Sequence, residues 1–187
     1  FIPNLTFTFF NLHNSTQADI DLMREQQGRG GVLFGGTGEV NVWKQAIAGN
    51  RGFPANHTAI DAWAPRMAYQ REMGMPFNMH ADLGSNANNT EGLERIRYVL
   101  SSYRDNLIIW NHLGGMSKEL TNRDVDAHVA LLGSMLQEFP NLYIDFSWRV
   151  NPDTYMNTPV KAAKWIRRFN AYPTRFLPGT DFVASEE

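Results

Sequence analysis

The chain has no cysteine. That excludes disulfides, thiolate zinc sites and a cysteine nucleophile together, while either redox compartment stays open. It has no basic cluster, and its formal net charge is -2. Nucleic acid is therefore not an expected partner, because phosphate binding needs a concentrated positive face. No apolar run approaches the roughly 20 residues needed to cross a bilayer, so no membrane partner is expected. There is no Gly-x-Ser-x-Gly elbow. The stretch GRGGVLFGGTGEV is Gly-rich but lacks the Lys-Ser/Thr ending of a P-loop. Its Gly28, Gly30 and Gly31 precede a strand-like run rather than follow one, which argues against a dinucleotide fingerprint. No His-x-His occurs anywhere.

What is present suits one soluble globular domain. The 187 residues can bury a sizeable core, and 43% hydrophobic against 19% charged residues is a globular balance. The chain opens FIPNLTFTFF without an initiator Met, so it is expected to be a mature form or a piece of something longer. A soluble, cytoplasmic protein is favoured, and an oligomer stays open.

Six short apolar runs read as strands: Leu5–Phe10, Val32–Gly35, Pro76–Met79, Leu107–Trp110, Leu142–Phe146 and Arg175–Leu177. Most lack clean alternation, as strands covered on both faces do. Helical patterns lie between them, at about 16–27, 60–73, 91–104, 124–139 and 160–169, with Pro65 in the first turns of the second. In the third, Leu93, Ile96, Val99 and Leu100 share a face; in the fourth, Val125, Val129, Leu132 and Leu136 do. Alternating strand and helix implies right-handed crossovers and a parallel sheet, either doubly wound or part of a (β/α)8 barrel. The irregular stretch 41–58, with Trp43, Lys44, Arg51 and His57, reads as a functional loop.

Several of these runs end on a polar residue. MPFNMHADLG ends on His80, LIIWNHLGG on His112 and FLPGTDF on Asp181; GGTGEV puts Glu39 at or just past the end of an earlier strand. In parallel α/β folds the carboxyl ends of strands form the ligand face. Imidazole and carboxylate are the usual ligands of zinc and similar divalent ions. Any one such residue is more often a cap or a satisfied polar group, but the set together points to a metal site. His13, His57 and His128 read as structural, as do Met73, Met75, Met79 and the phenylalanines, which read as core.

At these positions the chain resembles the amidohydrolase superfamily, in the branch that includes aminocarboxymuconate-semialdehyde decarboxylase-like enzymes. The resembling segments are GEVNVWKQA, GMPFNMHAD, IIWNHLGG, FPNLYIDFSW and YPTRFLPGTDF, in the family's order. The resemblance implies a (β/α)8 TIM barrel, with this chain covering roughly strands three to eight as a single partial domain, 1–187. It implies that His80 is a metal ligand and that Asp181 is a ligand and proton shuttle. His112 is then catalytic, or a second-metal ligand in binuclear members. Glu39 falls near a position where some members bridge two metals, although it could pair instead with Lys44 or Arg51. The family's first-strand His-x-His is missing, so the first two strands are expected upstream of Phe1.

The expected function is a divalent-metal-dependent hydrolase acting on an ester, lactone or amide carbonyl of a small-molecule substrate. Zinc is the first expectation for the metal, with manganese and iron as alternatives. Trp43, Trp148 and Arg149 are expected near the substrate. A second reading is non-oxidative decarboxylation in the same site, with Arg149 or Arg51 as carboxylate clamp. A third is a non-catalytic or truncated barrel that binds without turnover.

Overall fold

The computed structural model describes residues 4–5, 17–30, 35–45, 54–149 and 151–179. Six parallel strands form one sheet: β1 (Asn4–Leu5), β2 (Gly36–Trp43), β3 (Phe77–Ala81), β4 (Ile108–Trp110), β5 (Leu142–Asp145) and β6 (Phe176–Leu177). Their order in space is their order in sequence, and that order decides between the two closures. A doubly wound sheet reverses at a switch point and carries helices on both faces. Here the chain never reverses. Right-handed crossovers that all step the same way put every connecting helix on one face, and the sheet curls as an arc of a (β/α) barrel.

The helices are α1 (Gln17–Gly30), α2 (His57–Asp61), α3 (Ala64–Glu72), α4 (Leu93–Ser102), α5 (Asn111–Gly115), α6 (Val125–Glu138) and α7 (Pro159–Ala171). The longer helices pack through apolar faces. In α4, Ile96, Val99 and Leu100 are buried; in α6, Val125, Leu132 and Leu136 are. Asp124 caps α6 by accepting a hydrogen bond from Ala127 N at 2.8 Å, and Thr158 caps α7. All five residues of β3 are buried, which is why its sequence shows no alternation. Trp63, Trp110, Trp165, Phe77 and Met79 are large, fully buried core side chains. Among the described residues no helix is long and apolar enough to cross a membrane.

Several boundaries differ from expectation. The second strand is Gly36–Trp43 rather than Val32–Gly35, so Asn41–Trp43 are strand and not loop. Glu39 lies inside this strand, not at its end. Of Leu5–Phe10, Leu5 pairs with Thr37 and the rest lies outside the described residues. The helix expected over 60–73 is two helices, because Pro65 sits in the first turn of α3 and starts it afresh. His57 opens α2, behind the cap Asn56. Helix α1 runs past Gly28 to Gly30. Met73, expected in the core, is 41% exposed, since it follows the last turn of α3. His13 lies outside the described residues.

His128 of α6 is fully buried and donates from Nε2 to the carbonyl oxygen of Leu113 at 2.8 Å. Burial pushes its imidazole down to about 4; the bond to Leu113 opposes this and the charge of Arg123 adds to it. The folded state therefore binds the proton more weakly than the unfolded chain, whose ordinary histidine value is about 6.5. Stability is full above that value and falls as the pH drops towards 4, by up to about 3 kcal/mol. Urea unfolding at a series of pH values checks this. His128→Gln should flatten the slope between about pH 6.5 and 4; an unchanged slope would assign the acid sensitivity to other groups.

Candidate metal centre

Glu39 reaches the site because β2 is bulged. Thr37 pairs with Phe77 and Val40 with Met79, so three steps along β2 oppose two along β3. Such a bulge re-aims side chains. Gly38 makes it feasible: its φ is 121°, and a Cβ there would stand 2.8 Å from Asn78 Cβ and closer still to Asn78 O.

His80 comes from β3. His112 follows β4 in α5, which is a left-handed turn rather than a regular helix: His112 has φ 59° and ψ 54°, and Leu113 and Gly114 continue in the same region. A non-glycine residue in that conformation is strained and needs support from its surroundings. The support is a hydrogen bond from His112 N to Asp145 Oδ1 at 2.7 Å.

Three ligand-type atoms, from β2, β3 and the turn after β4, converge within 4.8 Å of one another. Glu39 Oε1 lies 3.1 Å from His80 Nδ1 and 2.9 Å from His112 Nε2, and the two ring nitrogens are 3.0 Å apart. The far side of each ring assigns its protons. His80 Nε2 donates to Asp82 Oδ1 at 2.9 Å, and a carboxylate can only accept. His112 Nδ1 donates to Ser147 Oγ at 3.1 Å, and Ser147 Oγ donates to Asp145 Oδ1 at 2.9 Å. In the neutral rings, His80 Nδ1 and His112 Nε2 are therefore lone pairs, both facing a carboxylate oxygen.

Three acceptors in contact repel unless a positive charge joins them. Burial pushes the Glu39 carboxyl up, yet its bonds to His112 and His80 outweigh this and hold it far below the usual carboxylate range. Burial pulls the His80 imidazole down, yet its bonds to Asp82 and Glu39 raise it. Together they mean that Glu39 stays ionised and that, beside this carboxylate and Asp82, His80 holds a proton more tightly than a free imidazole does. A tetrahedral shell with bonds of about 2.0–2.1 Å sets ligand atoms about 3.3 Å apart. The triangle is a few tenths of an ångström tighter, so the donor set fits a divalent ion after a small expansion.

The surroundings hold this arrangement. Lys44 Nζ binds the other oxygen of Glu39 at 2.9 Å, and Asn111 Nδ2 donates to Oε1 at 3.0 Å. Glu39 thus does both things its sequence context offered, pairing with Lys44 and facing the imidazoles. Asp82 Oδ2 accepts from Gln45 N at 2.6 Å. Burial raises the Asp145 carboxyl, and its bonds from His112 and Ser147 oppose the shift. A cavity of about 50 Å³ opens beside the cluster, lined by Lys44, His80, Asp82, His112, Lys118 and Trp148 among others. It has room for an ion and water.

Of the expected site residues, Glu39, His80 and His112 come together. Asp181 lies outside the described residues, as does Arg51. Trp148 lines the cavity with its ring 5.2 Å from that of His112. Trp43 is buried with Arg95 over its ring and does not line the cavity. Arg149 is 89% exposed and paired with Asp153 at 3.0 Å, so it clamps nothing in the site. His57 stacks on Tyr98 and bonds Glu94 at the surface. Asp82, Asp145, Ser147 and Asn111 were missed. Asp145 carried the signal used for the others, a polar residue ending an apolar strand. Asp82 stands two residues after His80, on the same side of the strand direction. Nothing in the sequence marks Ser147 or Asn111.

No protein-family model matches the chain, and no curated protein does. Among solved structures it is similar to a dihydroorotase from Campylobacter jejuni, with TM-score 0.57 and 12% identity over 98% of this chain and 52% of that one. It also matches an amidohydrolase from Burkholderia multivorans with bound zinc, with TM-score 0.49 and 13% identity over 92% of this chain and 68% of that one. A third match is 2,6-dihydroxybenzoate decarboxylase from Rhizobium, with TM-score 0.46 and 14% identity over 89% and 57%. The chain spans about half the length of the dihydroorotase. At such identity the first of these likenesses speaks for the fold, a partial barrel.

Proposed function

We propose that the chain belongs to the amidohydrolase superfamily and carries the metal-holding arc of a divalent-metal-dependent hydrolase acting on an ester, lactone or amide carbonyl. The observation that carries this reading is the convergence of Glu39 Oε1 from within β2, His80 Nδ1 from β3 and His112 Nε2 from the turn after β4, with each side chain fixed from behind. Two imidazoles and a carboxylate are a recurring catalytic zinc set. When bound, the ion lowers the pKa of a water towards neutrality and polarises a carbonyl oxygen.

The chain's own residues do the rest. Asp82 holds the His80 ring with its Nδ1 turned to the cluster. Lys44 takes one Glu39 oxygen and leaves the other for the cluster. Lys118, whose ammonium sits 6.0 Å from the Trp148 ring centroid, lies at the cavity where a substrate oxygen would enter. Asp181, two residues beyond Gly179, is proposed to ligate and to accept the proton of the attacking water. A Cβ on Gly179 would stand 3.3 Å from Asp145 Oδ2, so Gly179 itself lies beside Asp145.

Metal analysis and a hydrolysis screen test the reading. The purified protein should carry zinc, manganese or iron in stoichiometric amount. Dialysis against a chelator should abolish turnover of an ester, lactone or amide panel, and re-addition should restore it. A metal-free protein that takes up no ion would leave a non-catalytic binding role in its place.

A further inference from the structure

We propose that Ser147, backed by Asp145, is a positioning residue that presents the Nε2 lone pair of His112 to the Glu39–His80 cluster. The proposal rests on the reading of that cluster as a metal site. It decides which of two roles His112 takes, because a ring protonated at Nε2 would face the cluster as a proton donor, and one protonated at Nδ1 faces it as a ligand.

One oxygen, Asp145 Oδ1, gathers three donors. It accepts from His112 N at 2.7 Å, from Ser147 N at 3.3 Å and from Ser147 Oγ at 2.9 Å. The first bond fixes the left-handed backbone of His112, and the other two fix Ser147. A serine hydroxyl has a single hydrogen, and that hydrogen is committed to Asp145. Towards His112 the oxygen can then only accept, which requires the proton on Nδ1 and leaves Nε2 bare. Backbone and ring of His112 are thus referenced to the same carboxylate, at the end of β5. Ser147 is 3% exposed and Asp145 half-buried, so water competes little for these bonds. The Trp148 ring closes the remaining side of the imidazole. On the His80 side the same task needs only Asp82, in direct contact. Ser147 acts as a relay because Asp145 is already engaged with the backbone of His112.

The test is a zinc titration of the full chain by competition with a chelating dye, together with the ring ¹⁵N shifts of the metal-free protein. Wild type should show His112 protonated at Nδ1. In Ser147→Ala that preference should be lost, and zinc affinity should fall about 10- to 100-fold, the usual cost of removing an outer-shell partner. A merely structural serine would leave the ring shifts alone. Asp145→Asn, which keeps the shape, should shift both readouts the same way by less; it decides the matter if Ser147→Ala does not fold. Unchanged affinity and unchanged ring shifts in a folded Ser147 or Asp145 variant would overturn the proposal. Wild type that binds no zinc would instead remove the metal reading, and the ring shifts would still report the tautomer.

Discussion

Gly115→Ala is expected to destabilise the protein by about 4 kcal/mol, the sum of a left-handed residue and an overpacked core. Gly115 has φ 74°, a conformation costing an L-residue about 1–2 kcal/mol. An added Cβ would overlap Ala81 O and stand 2.8 Å from Leu83 N and 3.0 Å from Trp110 Cζ2. Two of these atoms are backbone at the end of β3, where Leu83 N donates to Gly115 O at 2.9 Å. They cannot yield without moving His80 and Asp82, so the overpacking adds about 1–3 kcal/mol. For a chain of this size the melting temperature should drop by about 10 °C. Gly28→Ala is the control. Nothing lies within 4 Å of a Cβ there, and in helix α1 the change should stabilise by about 0.5–1 kcal/mol. Thermal melts followed by circular dichroism separate the two. A Gly115→Ala protein as stable as wild type would show that the turn carrying His112 is free to relax.

Much of this arrangement was legible in the sequence, for identifiable reasons. His80 and His112 stand where apolar runs stop, and hydropathy marks the ends of buried strands well. The amphipathic stripes of α4 and α6 survive in their centres, with Leu93 and Val129 only partly buried at the edge of the core, because burial of one face is what a helical period records. Glu39 was drawn towards the right place on a wrong premise. The strand it belongs to starts at Gly36, and a bulge turns the residue inward; a bulge adds one residue without altering the hydrophobic pattern that reveals the strand. The left-handed turn at His112 was hidden for a similar reason. His112 and Leu113 adopt it under tertiary constraint, against their own preference, and only the glycines at 114 and 115 hint at it. The π-helical turn Asn151–Tyr155, buried at both ends, also has no pattern in NPDTY that would announce it. The proton assignments, which carry most of the chemical argument, depend on Ser147 and Asp82. These residues matter by where their hydrogens point, which composition and spacing do not encode.

Glu39→Gln should separate the metal from the fold. The amide keeps the size of the carboxylate and removes its charge. As a ligand it is far poorer, and the loss should exceed the 10- to 100-fold typical of outer-shell changes, so an affinity drop of more than about 100-fold, or about 2.7 kcal/mol, is expected. Hydrolytic turnover should fall with it at ordinary metal concentrations. Stability of the metal-free protein should change little. The glutamine forfeits the attraction between the ionised carboxylate and His80, while its N–H can donate to a bare imidazole nitrogen, so the two effects oppose. The glutamine oxygen can still accept from Lys44 Nζ, so that part-buried pair loses its charge but not its bond, while Asn111 Nδ2 loses the acceptor it had in Oε1. Loss of function with retained or raised stability is the pattern of a residue held for chemistry rather than for folding. Zinc titration and a thermal melt of the chelator-treated protein measure the two quantities independently. Retained affinity would remove Glu39 from the ligand set. A melting temperature several degrees lower without metal would mean that Glu39 serves the fold through its ion pairs, and the convergence of the three side chains would then be structural.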